Sequence, residues 1–332
     1  MQQRELGKGG AKISPMGIGA MSFADFYGPT DEAESHAILD AAMELGISHI
    51  DTSNVYGAGR SETAIGTYLA KRPEARDFFS IATKGGIARS PEGERYYDNS
   101  ASYLEGELDK SLKRLGVECV DLYYIHRRQA EMPIEEAAEA LALLVQKGKT
   151  KSIGFSEIAP SSLRRAAAVA PVAAVQSEYS LSTRSPELGL VQTCAELGVA
   201  LVAFSPVGRG LLTDDPHTPE RVETIPFLKS NPRFEPTNLR YNLEITDRFR
   251  RLAAALGEPA AALAIAWLIS RGDQVIPIPG TRSVRHFREL ARGAELKLGA
   301  SELASIEDVL PVGWAHGDRY NTGQWNGPER YC

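Results

Sequence analysis

The feature of this chain that most constrains its fold is a nearly unbroken alternation of short β-rich runs with longer helical patterns. The β-rich runs are Met16–Ala20, Ile47–Thr52, Phe79–Thr83, Val120–Ile125, Lys151–Phe155, Val172–Gln176, Ala200–Phe204 and Gln274–Pro277. The helical patterns are Asp31–Leu45, Ser61–Leu69, Ser100–Leu115, Pro133–Gln146, Ser161–Val169, Pro186–Leu197, Leu243–Leu256 with Ala260–Ser270, and Ser283–Arg292. This alternation predicts right-handed βαβ units and a parallel sheet, and eight such units close naturally into a (β/α)8 barrel.

A doubly wound α/β sheet is the main alternative to a barrel for the same alternation. Such a sheet usually carries a glycine-rich dinucleotide fingerprint after its first strand. The segment Gly17–Ser22 lacks the third glycine of that pattern. We therefore predict that residues 1–332 form a single domain with the TIM-barrel fold.

Two segments depart from the alternation. The stretch from Val207 to Asn242, after the seventh strand, is rich in proline and polar residues and has no strong period. Inside a compact domain, a long loop of this kind indicates an excursion over a functional site. The C-terminal tail, from Pro311 to Cys332, is aperiodic but carries the aromatic residues Trp314, Tyr320, Trp325 and Tyr331. We expect this aromatic tail to pack against the rest of the protein.

The composition argues against several classes of function. The net charge of −6 gives no electrostatic footprint for nucleic acid. The three cysteines (Cys119, Cys194 and Cys332) have neither metal-ligand spacing nor an even disulfide framework, and no HExxH motif is present, so we expect no metal site. The N-terminal residues resemble no signal peptide, and the most apolar stretch, Pro259–Ile269, is far short of the ~18 residues of a membrane span. We expect a cytoplasmic protein that binds neither nucleic acid nor membranes.

Four polar residues stand at or shortly after the ends of three consecutive strand-like runs: Asp51, Tyr56, Lys84 and His126. In a parallel barrel the catalytic groups lie at the carboxyl ends of the strands, so these four are expected at one rim. Each alone has an ordinary interpretation as a solvated charge, a helix cap or a core residue. Together, on strands two, three and four, they favour proton transfer to a carbonyl oxygen.

The chemistry that fits these four residues is reduction of a carbonyl group. Hydride addition to the carbonyl carbon leaves an alkoxide that needs a proton, and Tyr56 would supply it. Lys84 would lower the pKa of the phenol, since a nearby ammonium favours phenolate. Asp51 would hold Lys84 and balance its charge, and His126 would donate a hydrogen bond to the carbonyl oxygen.

Several segments of the chain resemble the aldo-keto reductase family, and the resemblance spans nearly the whole length. The matching segments are GIGAMSF at Gly17–Phe23, HIDTSNVYGAGRSE at His49–Glu62, ATKGG at Ala82–Gly86, VDLYYIH at Val120–His126, KSIGFSE at Lys151–Glu157, AVQSEYSL at Ala174–Leu181, FSPVGRGLL at Phe204–Leu212 and IPGTR at Ile278–Arg282. The resemblance implies a TIM barrel, no metal, NADPH bound before substrate, and a catalytic tetrad of Asp51, Tyr56, Lys84 and His126. The GFSE and QSEYSL segments look closest to the bacterial and plant branch that contains pyridoxal and perakine reductases.

The resemblance also implies where NADPH/NADP⁺ would bind. Its cofactor-binding positions fall on Ser156, Gln176, Ser205, Pro206, Val207, Gly208, Arg209, Gly280, Thr281, Arg282, His286 and Glu289. Ser156 and Gln176 would bind the nicotinamide carboxamide, and the residues after strands seven and eight would bind the phosphates. Arg282 is the candidate for the adenosine 2′-phosphate. One position departs from the family, which often has Asn where this chain has Leu290, and this puts the usual adenine contacts in doubt.

The substrate side of the site is expected to be largely aromatic. The candidate walls are Met21, Phe23, Phe26 and Tyr27 after strand one, Arg127 and Arg128 after strand four, and the aromatic tail. Aromatic walls fit planar aldehydes or hydrophobic ketones, whereas the arginines would instead meet a carboxylate or phosphate. Both alternatives stay open at the level of sequence.

Two other functions compete with an NADPH-dependent aldehyde and ketone reductase. One is a cofactor-binding regulatory subunit, as in the channel-associated branch of the same family, where Asn replaces the histidine; His126 argues against it. The other is an alcohol dehydrogenase that works mainly in the oxidative direction, which the same residues would serve. No coiled coil or long apolar stripe demands assembly into an oligomer.

Overall fold

The barrel is formed by eight parallel strands whose order in space follows their order in the chain. The structure, a computed structural model, describes residues 1–330. The barrel strands are β1 (Ile18–Gly19), β2 (His49–Asp51), β3 (Ser80–Gly85), β4 (Leu122–Ile125), β5 (Ile153–Ser156), β6 (Val172–Glu178), β7 (Ala200–Phe204) and β8 (Val275–Pro277). Each overlaps one predicted run, and the predicted TIM-barrel fold is confirmed.

Backbone hydrogen bonds between the segments of the first and last strands close the barrel. The amides of Gly17 and Gly19 donate to the carbonyls of Pro277 and Pro279, each at 2.9 Å. A Cβ atom at Gly19 would lie 2.6 Å from the carbonyl oxygen of Ile278, so this approach requires glycine.

The interior of the barrel is filled by small and large apolar side chains from alternate strand positions. Those from the strands are Ala82, Leu122, Tyr124, Ala174, Ala200, Val202 and Ile276. An N-terminal hairpin of Arg4–Glu5 and Lys12–Ile13 adds Leu6 and Ile13 to this cluster. The hairpin covers the amino ends of the strands, since Lys8 N donates to Gly198 O just before β7, which leaves the carboxyl ends for a site.

The helices mostly surround the barrel and bury apolar side chains against the outer face of the strands. They are α1 (Glu32–Leu45), α2 (Arg60–Lys71), α3 (Glu74–Phe78), α4 (Ala101–Leu115), α5 (Ile134–Gln146), α6 (Pro160–Val169), α7 (Leu190–Leu197), α8 (Pro219–Glu223), α9 (Pro226–Lys229), α10 (Pro236–Ala255), α11 (Ala260–Ile269), α12 (Val284–Gly293) and α13 (Ala300–Val309). Short 3₁₀ turns span Ala20–Phe23, Ser185–Leu188, Gly208–Gly210 and Pro232–Phe234. Helix α1 shows how the helix ends are capped: Asp31 forms a capping box at its start, and Gly46 ends it in the left-handed conformation.

Several helices and strands have weak hydrophobic patterns, and the sequence did not predict them or their bounds. Helix α13 buries only Ile306, so its sequence shows no apolar stripe. Helix α10 begins at Pro236, seven residues before the predicted Leu243, because its first turns carry polar residues. A hairpin of Ile87–Arg89 and Arg95–Tyr97 follows β3 and was missed, since short exposed strands have no clear alternation.

The stretch between β7 and α10 is not structureless. It contains α8 and α9, and together with Leu239 of α10 it builds a small apolar core from Leu211, Val222, Ile225, Leu228 and Phe234. Tyr27, from the loop after β1, packs against this core. This stretch after β7 is therefore held against the loop after β1, at the carboxyl ends of the strands.

The tail packs against the barrel through hydrogen bonds as well as aromatic rings. Trp314 Nε1 donates to the carbonyl of Leu181 at 2.8 Å, and Tyr320 is buried. Tyr331, also named for this tail, lies outside the described residues. That residues 1–332 act as one domain stays a prediction.

Among the helices formed by residues 1–330, no single one is long and apolar enough to cross a bilayer. Helices α10 and α11, which meet at 88°, satisfy length and hydropathy only when counted together.

Candidate active site

The four polar residues singled out in the sequence meet at the carboxyl rim of the barrel. Asp51 is the last residue of β2, Lys84 is the penultimate residue of β3, and His126 directly follows β4. Tyr56 lies in the turn between β2 and α2. Parallel pairing of β2, β3 and β4 in register is what brings these side chains into one group.

Lys84 is the buried centre of this group, with no solvent exposure. Its ammonium donates to Asp51 Oδ1, to the carbonyl of Thr52 at 2.8 Å and to the Tyr56 hydroxyl at 3.4 Å. Three acceptors match the three hydrogens of an ammonium. Burial by itself lowers the pKa of Lys84, but the charges of Asp51 and Tyr56 outweigh burial and the pKa is raised. Lys84 is therefore a fixed cation beside the phenol.

The carboxylate of Asp51 is shared between two partners. One oxygen accepts from Lys84, and the other accepts from Gln176 Nε2 at 2.7 Å. Gln176 was predicted to bind the nicotinamide carboxamide from the end of β6, but β6 continues two residues past it. Because its amide nitrogen is engaged by Asp51, its carbonyl oxygen is the group left for a ligand.

His126 is buried beside the Tyr56 ring, with ring centroids 5.8 Å apart in an edge-to-face arrangement. Its Nδ1 lies 3.1 Å from the hydroxyl of Ser53. Burial lowers the pKa of His126 well below its ordinary value, and the positive charges of Arg127, Lys84 and Arg95 lower it further. The imidazole is therefore neutral at neutral pH. If Ser53 donates to Nδ1, the proton sits on Nε2 and can be donated to a ligand.

We expect the stability of the protein to fall as the pH drops from about 6.5 to 5, because His49 and His126 are buried with lowered pKa values. Both bind protons more readily in the unfolded chain, so their contribution is present above the unfolded pKa and is lost as pH falls. Each fully buried histidine contributes a slope of up to about 1.4 kcal/mol per pH unit. Urea unfolding across this range measures it.

A His49→Gln variant provides the control, since glutamine does not titrate and His49 is outside the catalytic group. Its slope should be smaller than that of the wild type over the same range. Carboxylates contribute mainly below this range, because aspartate and glutamate titrate in the unfolded chain near pH 4. A free energy of unfolding that does not change over this range would contradict the burial of neutral histidines.

A single cavity of about 1110 Å³ runs from the four polar residues along the carboxyl rim to the start of α12. Most of the predicted cofactor residues line it: Ser156, Gln176, Ser205, Pro206, Val207, Arg209, Gly280, Thr281, Arg282, His286 and Glu289. Gly208 lies beneath the surface, with a φ of 60° and with space for a Cβ only 2.9 Å from Ser182 Oγ. The cavity is therefore long and lined at several points by residues implied by the family resemblance.

The loop after β7 has a strained backbone where it faces the cavity. Ser205 and Arg209 adopt φ values of 50° and 56°, which non-glycine residues rarely occupy. Such strain is often found where backbone groups are turned toward a ligand. Arg209 itself points inward, donating to Glu178 and to the carbonyl of Arg319, each at 2.6 Å. Its charge is thus largely neutralised within the protein.

Arg209 belongs to a buried ionic cluster that the sequence did not reveal. The cluster consists of Glu157, Glu178, Arg209, Arg233 and Arg319. It ties the ends of β5 and β6 to the loop after β7 and to the C-terminal tail. The one sequence signal was a glutamate after each of two strands, in GFSE and QSE, at positions where a lone buried charge is costly.

At the far end of the cavity, Arg282 is held by the loop after β1. Its guanidinium donates to the carbonyl of Pro29 at 2.6 Å and lies over Gly28. Leu290, which replaces the usual asparagine, is buried in the core with 4% exposure. Glu289 forms an ion pair with Arg285 at 3.5 Å. Arg282 and Arg285 thus line this end of the cavity, and no asparagine stands at position 290 beside them.

On the substrate side the structure corrects one prediction and adds residues. Met21, Phe26, Tyr27 and Arg127 line the cavity, but Phe23 packs into the hydrophobic core because its 3₁₀ turn points it beneath the rim. Arg128 pairs with Glu329 in the tail. Tyr320 of the aromatic tail lines the cavity, as expected, whereas the sequence did not indicate the wall residues Ile87, Ala88, Arg89, Arg95, Tyr103, Glu107 and Phe227. These residues come from the hairpin after β3, α4, α9 and the tail, and none carries a recognisable motif.

Comparison with known proteins agrees with this geometry. The aldo/keto reductase family matches residues 15–311. An aldo-keto reductase of Schizosaccharomyces pombe, whose name includes NADP(+), is 37% identical over 319 residues, covering 95% of this chain and 94% of the relative. A probable aldo-keto reductase of Glycine max is 38% identical over 324 residues, covering 97% and 93%.

Solved structures show the same similarity. A glycerol dehydrogenase of Gluconobacter oxydans superposes with a TM-score of 0.79 at 28% identity, covering 90% of this chain and 92% of the other. The holo form of an aldo-keto reductase of Bacillus halodurans superposes with a TM-score of 0.77 at 27% identity, covering 97% and 99%.

An eight-stranded parallel barrel with a buried polar group and a long cavity at its carboxyl rim defines a TIM-barrel enzyme. The family match covers most of the barrel, and both relatives are more than 30% identical over nearly the whole chain. The chain belongs to the aldo/keto reductase family, as its motifs predicted. It is an oxidoreductase that acts on carbonyl compounds.

Proposed function

We propose that this protein reduces aldehydes and ketones to alcohols with NADPH, and that Tyr56 donates the proton. The observation that carries the proposal is the Lys84 ammonium, held between Asp51 and the Tyr56 hydroxyl with no exposure to solvent. A buried cation at this distance stabilises the phenolate that remains after proton transfer, and it acts strongly because little water screens it. The name of the S. pombe relative supports NADP as the cofactor.

The residues along the cavity fit a nicotinamide dinucleotide. At one end, the carbonyl oxygen of Gln176 and the hydroxyl of Ser156 are an acceptor and a donor for a carboxamide. In the middle, the strained turn at Ser205 turns backbone toward the cavity, and at the other end Arg282 supplies a cation. When bound, NADPH supplies the hydride that is added to the carbonyl carbon.

His126 and Tyr56 would bind the carbonyl oxygen together. A neutral imidazole donates one hydrogen bond to the oxygen without competing as an acid, and the phenol donates the second. As negative charge develops on that oxygen, both hydrogen bonds strengthen, which is where they lower the barrier. The phenol then gives up its proton, and Lys84 stabilises the phenolate that is left.

The simplest test mixes the purified protein with NADPH and small aldehydes, namely 4-nitrobenzaldehyde, methylglyoxal and pyridoxal. We expect aldehyde-dependent loss of the absorbance of reduced nicotinamide, with alcohol formed in equal amount. Failure of every aldehyde to be reduced, although NADPH binds, would favour the regulatory alternative.

We expect Arg282→Ala to raise the Michaelis constant for NADPH by about ten- to a hundredfold, because a hydrogen-bonded charge pair contributes about 1.5–3 kcal/mol. The constant for NADH should change little, since NADH lacks the 2′-phosphate. Steady-state kinetics with both cofactors measures the ratio. Arg288→Ala is the comparison variant, since Arg288 is an exposed arginine of α12 that pairs with Glu44 and does not line the cavity. Equal effects of Arg282→Ala on the two cofactors would remove this assignment.

The oxidative direction is a second candidate, since a glycerol dehydrogenase is among the structures that superpose on this chain. The same residues serve it in reverse, with the Tyr56 phenolate accepting the proton of an alcohol. Rates measured with glycerol and NADP⁺, compared with aldehyde and NADPH at the same pH, distinguish the preferred direction.

A further inference from the structure

Two arginines of the hairpin after β3 face each other at the mouth of the cavity. Arg89 and Arg95 are directly opposite in the antiparallel register, and both line the cavity. Like charges at directly opposite positions destabilise a strand pair. Their placement costs the hairpin stability, so a ligand that uses both charges would explain it.

A third arginine, Arg127, lies on the same side of the cavity and follows His126 directly. Its guanidinium donates to the carbonyl of His126 at 2.6 Å, to Ser156 Oγ at 3.1 Å and to the Tyr320 hydroxyl at 3.2 Å. Arg95 donates to the Tyr97 hydroxyl and to the carbonyl of Asn326. All these acceptors are neutral, so the two guanidinium groups are oriented without being neutralised.

Other arginines around the site form ion pairs with glutamates. Arg128, Arg209 and Arg319 each pair with a buried or partly buried glutamate. By contrast, Arg89, Arg95 and Arg127 have no carboxylate partner within residues 1–330. Three guanidinium groups without a carboxylate partner therefore lie at the substrate end of the cavity, and Arg282 is a fourth at the far end.

The acidic groups nearby are engaged by other residues or lie outside the cavity. The charge of Glu157 interacts with that of Arg127, but its carboxylate pairs with Arg319. Glu107 lines the same wall, but it accepts from Asn54 at 2.6 Å and pairs with Lys110 at 2.7 Å. Glu92 and Glu94, at the turn of the hairpin, are exposed and do not line the cavity. The lowered pKa of His126, to which burial contributes most and Arg127 and Arg95 contribute further, agrees with a positive field at the substrate position.

We propose that the preferred substrates are carbonyl compounds that also carry an oxyanionic group, a carboxylate or a phosphate. Arg89, Arg95 and Arg127 would bind that group, while the carbonyl oxygen faces Tyr56 and His126. The planar guanidinium matches a carboxylate or a phosphate with paired hydrogen bonds. This inference rests on the proposed reductase function and specifies its substrate class.

The test compares 4-formylbenzoate with its neutral methyl ester, which keeps the same aldehyde and ring. We expect kcat/KM for the acid to exceed that for the ester by about tenfold, the low end for charged hydrogen bonds because Arg89 and Arg95 are exposed. The ratio should fall as ionic strength rises, because salt screens exposed charges. 4-Formylphenyl phosphate, run in parallel, distinguishes a preference for phosphate from one for carboxylate.

The double variant Arg89→Gln/Arg95→Gln should lower the ratio of acid to ester severalfold, since only Arg127 of the three arginines remains. Arg251→Gln is the matched control, since Arg251 is an exposed arginine of α10 that pairs with Asp247 and does not line the cavity. It should leave the ratio unchanged. Binding of 4-(hydroxymethyl)benzoate to the protein with NADP⁺, measured by calorimetry, should weaken in the double variant by a similar factor.

The outcomes separate the two proposals. Equal turnover of acid and ester by the wild type, or a preference that is as large in the double variant as in the wild type, overturns the anionic substrate class and leaves the reductase function standing. Absence of turnover with 4-formylbenzoate, its methyl ester and 4-formylphenyl phosphate, although NADPH binds, overturns the reductase function and this inference with it.

Discussion

Replacing Tyr56 by phenylalanine is expected to lower kcat for aldehyde reduction by about 10²- to 10⁴-fold, the usual range for loss of a positioned general acid. The variant removes the one hydroxyl that accepts from Lys84 and faces the cavity. It keeps the aromatic ring, which makes edge-to-face contacts with Phe26 at 6.0 Å and His126 at 5.8 Å. Folding and NADPH affinity should therefore be retained. Single-turnover kinetics and fluorescence titration with NADPH measure the two properties separately.

Tyr103→Phe is the matched control, because it makes the same chemical change in the same cavity. The Tyr103 hydroxyl donates to the carbonyl of Ile87 at 3.2 Å and does not contact Lys84. We expect its kcat to stay within a few-fold of the wild type. If Tyr56→Phe keeps near-native turnover, then Tyr56 does not donate the proton.

Replacing Lys84 by methionine is expected to abolish turnover and to lower the free energy of unfolding by about 3–5 kcal/mol, because it leaves a buried carboxylate without its partner. Asp51 is only 2% exposed, and after the change Gln176 alone would bond to it. Methionine is close to lysine in length, so the loss reflects charge more than volume. Urea unfolding gives the stability, and the aldehyde assay gives the activity.

The double variant Asp51→Asn/Lys84→Met distinguishes the ion pair from other effects of the substitution. It should recover much of the lost stability, because no unpaired charge remains, and yet it should stay inactive. Single and double variants that are equally unstable would show that the pair is not the source of the cost. An active Lys84→Met variant would remove the ammonium from the proposed mechanism.

The barrel and its catalytic group could be predicted because both follow from local patterns. Eight β-rich runs separated by helices leave few topologies, and the carboxyl ends of parallel strands share one rim. Asp51, Lys84 and His126 each end or directly follow such a run, so their meeting needed no knowledge of distant contacts. The family motifs then added the expected cofactor positions.

The parts that could not be predicted depend on contacts between distant segments. The pairing of Glu157 with Arg319 joins β5 to the tail, and no local pattern marks it. The wall of the cavity contributed by Arg95 depends on how a short hairpin folds back over the rim. Phe23 was expected in the cavity, but it is the last residue of a 3₁₀ turn and its side chain lies in the core.

The most direct measurement of the central claim uses NADPH that carries deuterium at C4 of the nicotinamide ring, on the transferred face, with 4-nitrobenzaldehyde as substrate. Mass spectrometry of the alcohol should find the deuterium on the former carbonyl carbon, and Tyr56→Phe should slow its appearance in step with kcat. An alcohol formed without deuterium, or no alcohol from a protein that binds NADPH, would contradict hydride transfer in this cavity.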